Sequence, residues 1–159
     1  MSRSSNRAPD SPEKSHRNAV TLDLRTARNM LPLVQSIVED IRTHHVRLHE
    51  LTPEQDRLER NRRTLNWTER DRRYNITEEI RTAERNLTTA VTELGTLGVE
   101  LVDPVVGSVD FPTRINGRSA AFSWKHGEDA LNFWHYADEG QRRPIPSDWV
   151  QGQPQTLRA

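Results

Sequence analysis

The sequence contains no cysteine, which excludes disulfide bonds and thiolate metal sites. It also has no run of about 18 apolar residues, the length that a membrane-crossing helix needs. Only 33% of the 159 residues are hydrophobic, so we expect a small core and much exposed helix surface. The formal net charge is zero, and the global charge therefore favours neither nucleic acid nor a membrane as partner.

The N-terminal segment lacks any apolar anchor. Residues 1–19 are rich in Ser, Pro, Asn and charged residues, and such a segment cannot offset the entropy lost on ordering. We predict that it is a disordered tail. It also lacks the hydrophobic stretch of a secretory signal, so we expect a cytoplasmic protein.

The central part of the chain has the heptad pattern of two helices that pack along one seam, with apolar residues at alternating spacings of four and three. Asp23 is the predicted N-cap of the first helix, and Gly98 is the predicted left-handed residue that ends the second. The second helix is expected to begin at an Asn75 cap, or alternatively near Thr68. The seam residues are Met30, Val34, Ile37, Ile41, His44, Leu48, Leu51, Gln55 and Leu58, then Ile76, Ile80, Ala83, Leu87, Ala90, Leu94 and Leu97.

This pattern predicts a long antiparallel coiled-coil hairpin over residues 23–98. Leu31 and Val38 widen the first stripe and Val91 widens the second, near the ends that an antiparallel arrangement brings together. We therefore expect the rest of the domain to pack there. Pro32 removes one helical hydrogen bond and should bend the first helix.

Three histidines, His44, His45 and His49, fall close together on the first helix. Residues four apart share a helix face, so a metal site is one interpretation. No carboxylate is placed to complete the ligand set. We favour the alternative that they are polar residues at the weak middle of the hairpin.

The connection between the helices, residues 59–75, mixes arginine with aromatic residues. Such a mixture can bind single-stranded nucleic acid by charge and stacking. Glu59, Glu69 and Asp71 reduce the local charge, so a solvated helix tip is favoured and nucleic acid is an unlikely partner. The residues that would carry nucleic-acid binding are Arg60, Arg62, Arg63, Trp67, Arg70, Arg72 and Arg73.

After Gly98 the period changes from helical to two, which predicts strands. Asn116-Gly117 is a type I′ turn signal, and Pro112 is expected to end the strand before it. The predicted strands are residues 99–102, 105–111, 118–124 and 130–136. We predict an α+β fold in which the helix hairpin packs on a three- to four-stranded antiparallel sheet, residues 99–136. The single domain covers 20–146, and 147–159 form an irregular tail whose Trp149 is expected to pack on the sheet or on an adjoining chain.

Alternation predicts that both faces of the last strand pair carry aromatic residues. Phe133 and His135 share one face with Leu131, while Trp134 and Tyr136 occupy the other with Asn132. Phe122 and Trp124 share one face of the preceding strand. One aromatic face would pack on the helices, and the other would need a ligand or a partner to cover it.

A candidate site is expected around this strand pair. Its residues are Asp110, Trp124, Glu128, Trp134, His135, Arg142 and Arg143. A structural aromatic–ionic cluster is the favoured interpretation, ligand binding is the next, and a divalent metal held by His135, Glu128 and Asp110 is the weakest. His135 could also be a general base, but no catalytic motif is present, so we lean against an enzyme and leave cofactors open.

The motifs Leu97-Gly98-Val99-Glu100, Val109-Asp110-Phe111-Pro112 and Trp134-His135 resemble a small uncharacterised bacterial family, domain of unknown function 2203. Gly107, Trp124, Gly127, Glu128, Gly140, Arg142 or Arg143, and Pro144 fit the same pattern, as does an opening helix with Ala27, Leu31 and Pro32. Ser123 stands where that family usually has cysteine. The resemblance covers roughly residues 20–146 and implies no established activity.

Three functions remain open from the sequence. The first is a non-enzymatic module for protein interaction or oligomerisation, acting as a homo-oligomer or with another protein. The second is a small-ligand or metal site, and the third is nucleic-acid binding at the arginine-rich connection. The first is favoured, with association through the helices or through the exposed aromatic face.

Overall fold

A computed structural model describes residues 20–150 of the chain. Two long helices are followed by a small antiparallel sheet, which confirms the predicted α+β class with one more strand than expected. The helices are α1 (Leu24–Arg60) and α2 (Trp67–Thr96). The strands are β1 (Glu100–Asp103), β2 (Ser108–Ile115), β3 (Arg118–Lys125), β4 (Phe133–Tyr136) and β5 (Arg143–Pro144), and Ser147–Val150 form a 3₁₀ turn. The predicted N-terminal tail and residues 151–159 lie outside the described residues.

The start of α1 follows from its cap. The Asp23 carboxylate accepts a hydrogen bond of 2.7 Å from the Thr26 amide, as predicted. This backbone hydrogen bond lowers the pKa of Asp23 because it stabilises the charged form. Pro32 lies within the continuous helix, and the bend expected there stays a prediction.

The start of α2 differs from the principal prediction. Asn66, not Asn75, is the N-cap: its side chain accepts from the Glu69 amide at 2.9 Å, and Glu69 accepts from the Asn66 amide. This reciprocal capping box begins the helix nine residues, or about two and a half turns, earlier. The alternative start near Thr68 is right to within two residues. Leu65, just before the cap, is buried and fixes the short connection.

The two helices pack as an antiparallel hairpin. Residues far apart in sequence meet in opposite order: Arg47 near the middle of α1 donates to Glu79 at 2.9 Å, and Arg73, earlier on α2, donates to Glu59, later on α1, at 2.7 Å. Every seam residue expected from the heptads is buried or half-buried, so the predicted seam is confirmed. Val91 is 38% exposed, so the predicted widening of the second stripe is wrong there.

The seam has two separate hydrophobic clusters. The proximal core includes the first half of α1, the end of α2 and the sheet. The distal core lies near the connection and consists of Leu51, Leu58, Leu65, Ile76 and Ile80, with Leu48 packed against it. His44 is half-buried between the two cores, which fits the interpretation as a polar residue at a weak middle. No three His, Asp or Glu side chains between residues 20 and 150 are grouped to hold a metal ion.

Gly98 ends α2 as predicted. Its φ is +80°, and the Val99 amide donates to the Leu94 carbonyl at 3.2 Å while the Gly98 amide donates to Gly95 at 2.9 Å. These two hydrogen bonds form a Schellman motif. The motif turns the chain from the helix directly into β1, and this positions the sheet at the proximal end of the hairpin.

The five strands follow one another as neighbours in the order β1 to β5. Asn116 and Gly117 have φ values of +54° and +73°, the conformation of the predicted type I′ turn between β2 and β3. Pro112 does not end its strand, and β2 continues to Ile115. The Pro112 carbonyl accepts a hydrogen bond of 2.7 Å from the Leu22 amide, on the edge of β2 that extends beyond its pairing with β1. The missing proline N–H faces this edge, where no strand partner requires it.

Two further strand boundaries differ from the prediction. The Asp103 carboxylate accepts from the Val105 and Val106 amides, so residues 104–107 form a turn and β2 begins only at Ser108. At the other end, β4 begins at Phe133, not at Ala130.

The register gives the sheet one aromatic face and one polar face. The face toward the helices, the inner face, carries Phe111, Phe122, Trp124, Trp134 and Tyr136, all of which are buried. The opposite side is the outer face. Trp134 pairs directly with Phe122, so their side chains point the same way.

The predicted alternation within β4 is confirmed, since Phe133 and His135 share the outer face. The outer face is much less aromatic than expected, however, because within the described strands Phe133 is its one Phe, Trp or Tyr. Leu131 lies before β4, outside the alternation, and is buried in the proximal core. Trp149 packs on the inner side of the sheet, where its ring lies 5.4 Å from that of Trp134. This confirms the expected contact of Trp149 with the sheet.

Gly107 is required at a close approach between α1 and the sheet. We predict that Gly107→Ala lowers the free energy of unfolding by at least about 2 kcal/mol, because overpacking adds to the strain of a left-handed alanine. A Cβ there would lie 2.7 Å from Arg42 Cδ and 2.8 Å from His126 Cβ, at a φ of +78°. Urea unfolding measures the loss.

Gly117→Ala is the matched control. Gly117 has a similar φ of +73° but nothing within 4 Å of the added Cβ, so its loss should be only about 1 kcal/mol. Equal losses in the two variants would contradict the close approach at Gly107.

Candidate functional site

His135 and Asp110 form a pair on the outer face of the sheet. The Nε2 atom of His135 lies 3.1 Å from Oδ2 of Asp110, and Nδ1 lies 2.8 Å from the Tyr136 carbonyl oxygen. On β3, between the two residues, the register places Ala121 and Ser123. These small side chains leave room for the imidazole to reach across β3 to β2.

Both ring nitrogens of His135 face acceptors. A carbonyl and a carboxylate accept but cannot donate, so the geometry favours the imidazolium, in which each nitrogen carries a proton. Burial of the ring lowers its pKa, but the hydrogen bonds to Tyr136 and Asp110 and the Asp110 charge outweigh burial. The pKa of His135 is therefore raised above its ordinary value of 6.5.

Arg142 forms a second centre on the same face. Its guanidinium donates to the Glu128 carboxylate at 2.6 Å and to the Ser123 hydroxyl at 3.0 Å. It also lies over the Phe133 ring at 4.2 Å, which shields the aromatic ring on the outer face. Glu128 accepts in addition from the Lys125 amide at 2.6 Å, so its carboxylate also closes the turn after β3.

The chemistry of this outer-face cluster is limited by its own hydrogen bonds. Asp110, His135, Arg142 and Glu128 are each partly buried, and each is paired with another member of the cluster or with the backbone. A general base needs a nitrogen lone pair, and both nitrogens of His135 already face acceptors. The arrangement can stabilise the sheet and can respond to pH.

Only four of the seven predicted site residues meet on the outer face. Trp124 and Trp134 lie on the inner face, although the Trp124 indole N–H reaches the Glu128 carbonyl at 3.0 Å. Arg143 points away from the cluster, donates to Glu139 at 2.6 Å and lies 5.2 Å over Trp134. The prediction of one shared cluster is wrong for these three, because neighbouring strand residues alternate between faces.

Sequence reasoning missed the Ser123 hydroxyl and the Phe133 ring as partners of Arg142. The register supplies the missing signal: Ser123 pairs with both Asp110 and Phe133, which aligns the three across adjacent strands. It also shows that Arg142, not Arg143, is the arginine of the outer face.

A different set of functional groups lies at the connection between the helices, which we call the arm tip (residues 59–75). Trp67 is 81% exposed and Tyr74 is 72% exposed. The two rings are seven residues apart on α2, so they project from one helix face about 10 Å apart along the axis. Arg70 lies between them and is exposed. Tyr74 is one of the aromatic residues of the 59–75 connection, but the residues expected from the sequence to bind nucleic acid do not include it.

The arginines of the arm tip fall into two groups. Arg72 bridges Glu54 and Glu79, and Arg73 binds Glu59 through two hydrogen bonds. The hydrogen bond from Arg72 lowers the pKa of Glu54. Four other arginines have no carboxylate within ion-pair distance anywhere in residues 20–150: Arg60, Arg62, Arg63 and Arg70.

The model of a family described as uncharacterized conserved protein (DUF2203) matches residues 21–145. The chain belongs to this family. The match spans the DUF2203 region from the cap of α1 to β5, and it includes both the outer-face cluster and the arm tip. No curated protein and no solved structure matches the chain. Within residues 20–150, neither helix of this region is long and apolar enough to cross a membrane.

We predict that the His135–Asp110 pair makes the stability of the protein depend on pH. Because folding raises the pKa of His135, its contribution is fully present below the unfolded value near 6.5 and is lost as pH rises through the folded value. The free energy of unfolding should therefore fall as pH is raised from about 6.5. Urea unfolding between pH 6 and 9 measures this fall.

Asp110→Asn should lower the pKa of His135, which an NMR titration measures. It should also flatten this part of the stability profile. Asp138→Asn is the matched control, because Asp138 is an exposed carboxylate that pairs with Arg118. An unchanged His135 pKa in Asp110→Asn would show that the pair does not set the titration.

Proposed function

We propose that this protein is a non-enzymatic binding module in which the helix hairpin is an arm and the arm tip contacts a macromolecular partner. One contrast supports the proposal. The charged groups of the outer-face cluster are paired with one another, whereas the arm tip presents two exposed aromatic rings and arginines without carboxylate partners. Binding surfaces have unused interaction capacity of this kind.

The arm is built to hold its tip in place. A helix of 30 residues is about 45 Å long, so the tip lies far from the sheet. The distal core packs the last turns of α1 against the first turns of α2. Arg72 joins Glu54 on α1 to Glu79 on α2, and Arg73 ties α2 to Glu59. These contacts fix the backbone that carries Trp67 and Tyr74.

Exposure of two large aromatic side chains to water is unfavourable, and a partner that buries them would remove this free-energy cost. Trp and Tyr bury large areas when they pack, and they are enriched where proteins bind other molecules. The other three tryptophans, Trp124, Trp134 and Trp149, are all buried. Trp67 is therefore exceptional within the described residues, and its exposure favours a role in binding.

The other expected functions have less support. A ligand or metal on the outer face would have to displace hydrogen bonds that are already made, including both bonds of His135. Oligomerisation through the helices, a supercoiled hairpin, the bacterial origin and the cytoplasmic location all stay predictions.

We predict that a photo-crosslinking residue at the arm tip captures a partner in the native host. Thr68, next to Trp67 on α2, is replaced by p-benzoylphenylalanine, which keeps Trp67 intact. Illumination of living cells should give a discrete adduct, because a bound partner lies within reach of the tip. Gel electrophoresis followed by mass spectrometry and nuclease treatment identifies the adduct as protein or nucleic acid.

Thr88 is the matched control, since it is also an exposed threonine on α2 but lies toward the proximal end. The adduct should be absent from the Thr88 position and should disappear when Trp67→Ala is added to the Thr68 variant. No adduct at Thr68, or equal adducts at both positions, would contradict the proposed function.

A further inference from the structure

We propose that the partner of the arm tip is single-stranded nucleic acid, whose bases stack on Trp67 and Tyr74 while its phosphates meet the unpaired arginines. This inference rests on the proposed function, since it names the class of molecule that the arm contacts. Three features of the tip support it: the spacing of the rings, the charge balance and the absence of exposed aliphatic residues around them.

The rings are arranged for stacking. Trp67, Arg70 and Tyr74 are spaced three and four residues apart, so they form one exposed stripe along α2. Within residues 20–150 no guanidinium lies over the ring of Trp67 or Tyr74, so both aromatic faces are available. Every base has a planar face, and a base can stack on an aromatic ring without regard to sequence.

The charge balance of the tip favours a polyanion. Residues 59–75 contain six arginines and three carboxylates. Arg72 is matched by Glu54 and Glu79 from outside this range and Arg73 by Glu59, which leaves four arginines without an ion pair in the described residues. The three carboxylates are engaged internally: Glu59 with Arg73, Glu69 in the cap of α2, and Asp71 with Asn75. The arginines that remain are therefore not neutralised by their surroundings, and they can bind phosphates.

The arginines line a continuous surface. One shallow depression is lined by Arg60, Arg62 and Arg63 of the connection. A second is lined by Arg70 and Tyr74 of α2, together with Arg81 and its ion-pair partner Glu78. Both depressions are bordered by Glu59, which is neutralised by Arg73. A strand whose bases stack on the rings of α2 can therefore place its phosphates along the connection.

A protein partner fits this surface less well. Protein interfaces have a contiguous apolar centre, in which aliphatic side chains surround the aromatic anchors. Between residues 47 and 90, Trp67 and Tyr74 are the two exposed large hydrophobic residues, and neither is accompanied by an exposed aliphatic one. A duplex fits less well too, because its bases are already stacked on one another.

The test measures fluorescence anisotropy of labelled 15-nucleotide single strands, both RNA and DNA, with the full-length protein. Binding should weaken steeply with salt, with a log–log slope of about −3 if four phosphates are neutralised. Trp67→Leu should weaken binding roughly 5- to 150-fold, as expected for loss of a stacked base. Trp67→Phe should retain most of the affinity, because a ring is restored.

Trp67 supplies a second readout that a purely electrostatic contact would not change. Since the other three tryptophans are buried, iodide should quench mainly the emission of Trp67. A single strand that stacks on Trp67 should quench this emission and protect it from iodide. In Trp67→Phe both effects should be lost while the anisotropy change persists.

Arg62→Gln with Arg63→Gln should make the salt slope less steep by about 1.4, if each arginine neutralises one phosphate. The matched control is Arg25→Gln with Arg85→Gln, two exposed arginines that lie outside the arm tip, which should leave affinity and slope unchanged. RNA that binds more tightly than DNA, or the reverse, would identify which single strand is preferred.

Three results would overturn the inference: affinity unaffected by Trp67→Leu, equal binding of duplex, or equal binding of a poly-glutamate peptide. These results leave the proposed function standing if the Thr68 adduct in cells contains protein. An absent adduct contradicts the proposed function itself, so the two failures are distinguishable.

Discussion

The packing of the aromatic inner face on the proximal ends of α1 and α2 is the contact on which the rest of the structure depends. Phe111, Phe122 and Trp124 lie in one core with Val34 and Ile41 of α1. Burial of each of these large side chains stabilises the domain by about 2–3 kcal/mol. Once this face is buried, the register fixes the opposite face, because a shift by one residue would expose every ring.

This one-sided burial explains why the outer face is ionic. The outer face receives Asp110, His135 and Arg142, and neither helix in residues 20–150 packs on it. Charges at such a position remain partly hydrated, so their pairing costs less desolvation than it would in the core. One pair joins β2 to β4, and the other joins Arg142, just before β5, to the turn after β3, so the pairs flank the short strand β4.

The hairpin divides into two parts for the same reason. Where the sheet supplies a third layer, the seam of α1 is wide and includes Leu31 and Val38. Beyond His44 the helices have only each other, and the seam narrows to the distal core. Ion pairs such as Arg72 with Glu54 and Glu79 supplement this smaller core. The arm therefore stays ordered to its tip without a hydrophobic partner there.

Local patterns in the sequence are sufficient to predict much of this fold. The heptads predict the seam, Gly98 predicts the end of α2, and Asn116-Gly117 predicts the hairpin turn, because each depends on backbone conformation or on residues close in sequence.

The choice between two caps could not be made locally. Asn66 with Glu69 and Asn75 with Glu78 have the same spacing, and either can form a capping box. The choice of cap depends on the distal core, in which Leu65 and Ile76 are both buried. The chain between these two residues is helical from Trp67, so Asn66 is the cap. Burial of this kind is a tertiary contact and has no signal in a short window.

The assignment of faces failed for a related reason. Alternation shows that Phe133 and Trp134 point in opposite directions, but not which of them points to the helices. The pairing of Trp134 with Phe122 settles it, and pairing joins residues that are distant in sequence. The predicted cluster consequently combined residues from both faces, and its true members became recognisable only through the register.

The two candidate sites contain the same kinds of group, arginine and aromatic rings, and differ in what those groups contact. In the outer-face cluster Arg142 already lies over Phe133 and binds Glu128. At the arm tip Arg70 is exposed between Trp67 and Tyr74 with neither kind of contact in the described part of the chain. A cation over a ring contributes about 0.5–1 kcal/mol at an exposed site. The cluster has made these interactions within the chain, whereas at the tip they are not made within the described residues, and this difference is what supports the proposed binding role.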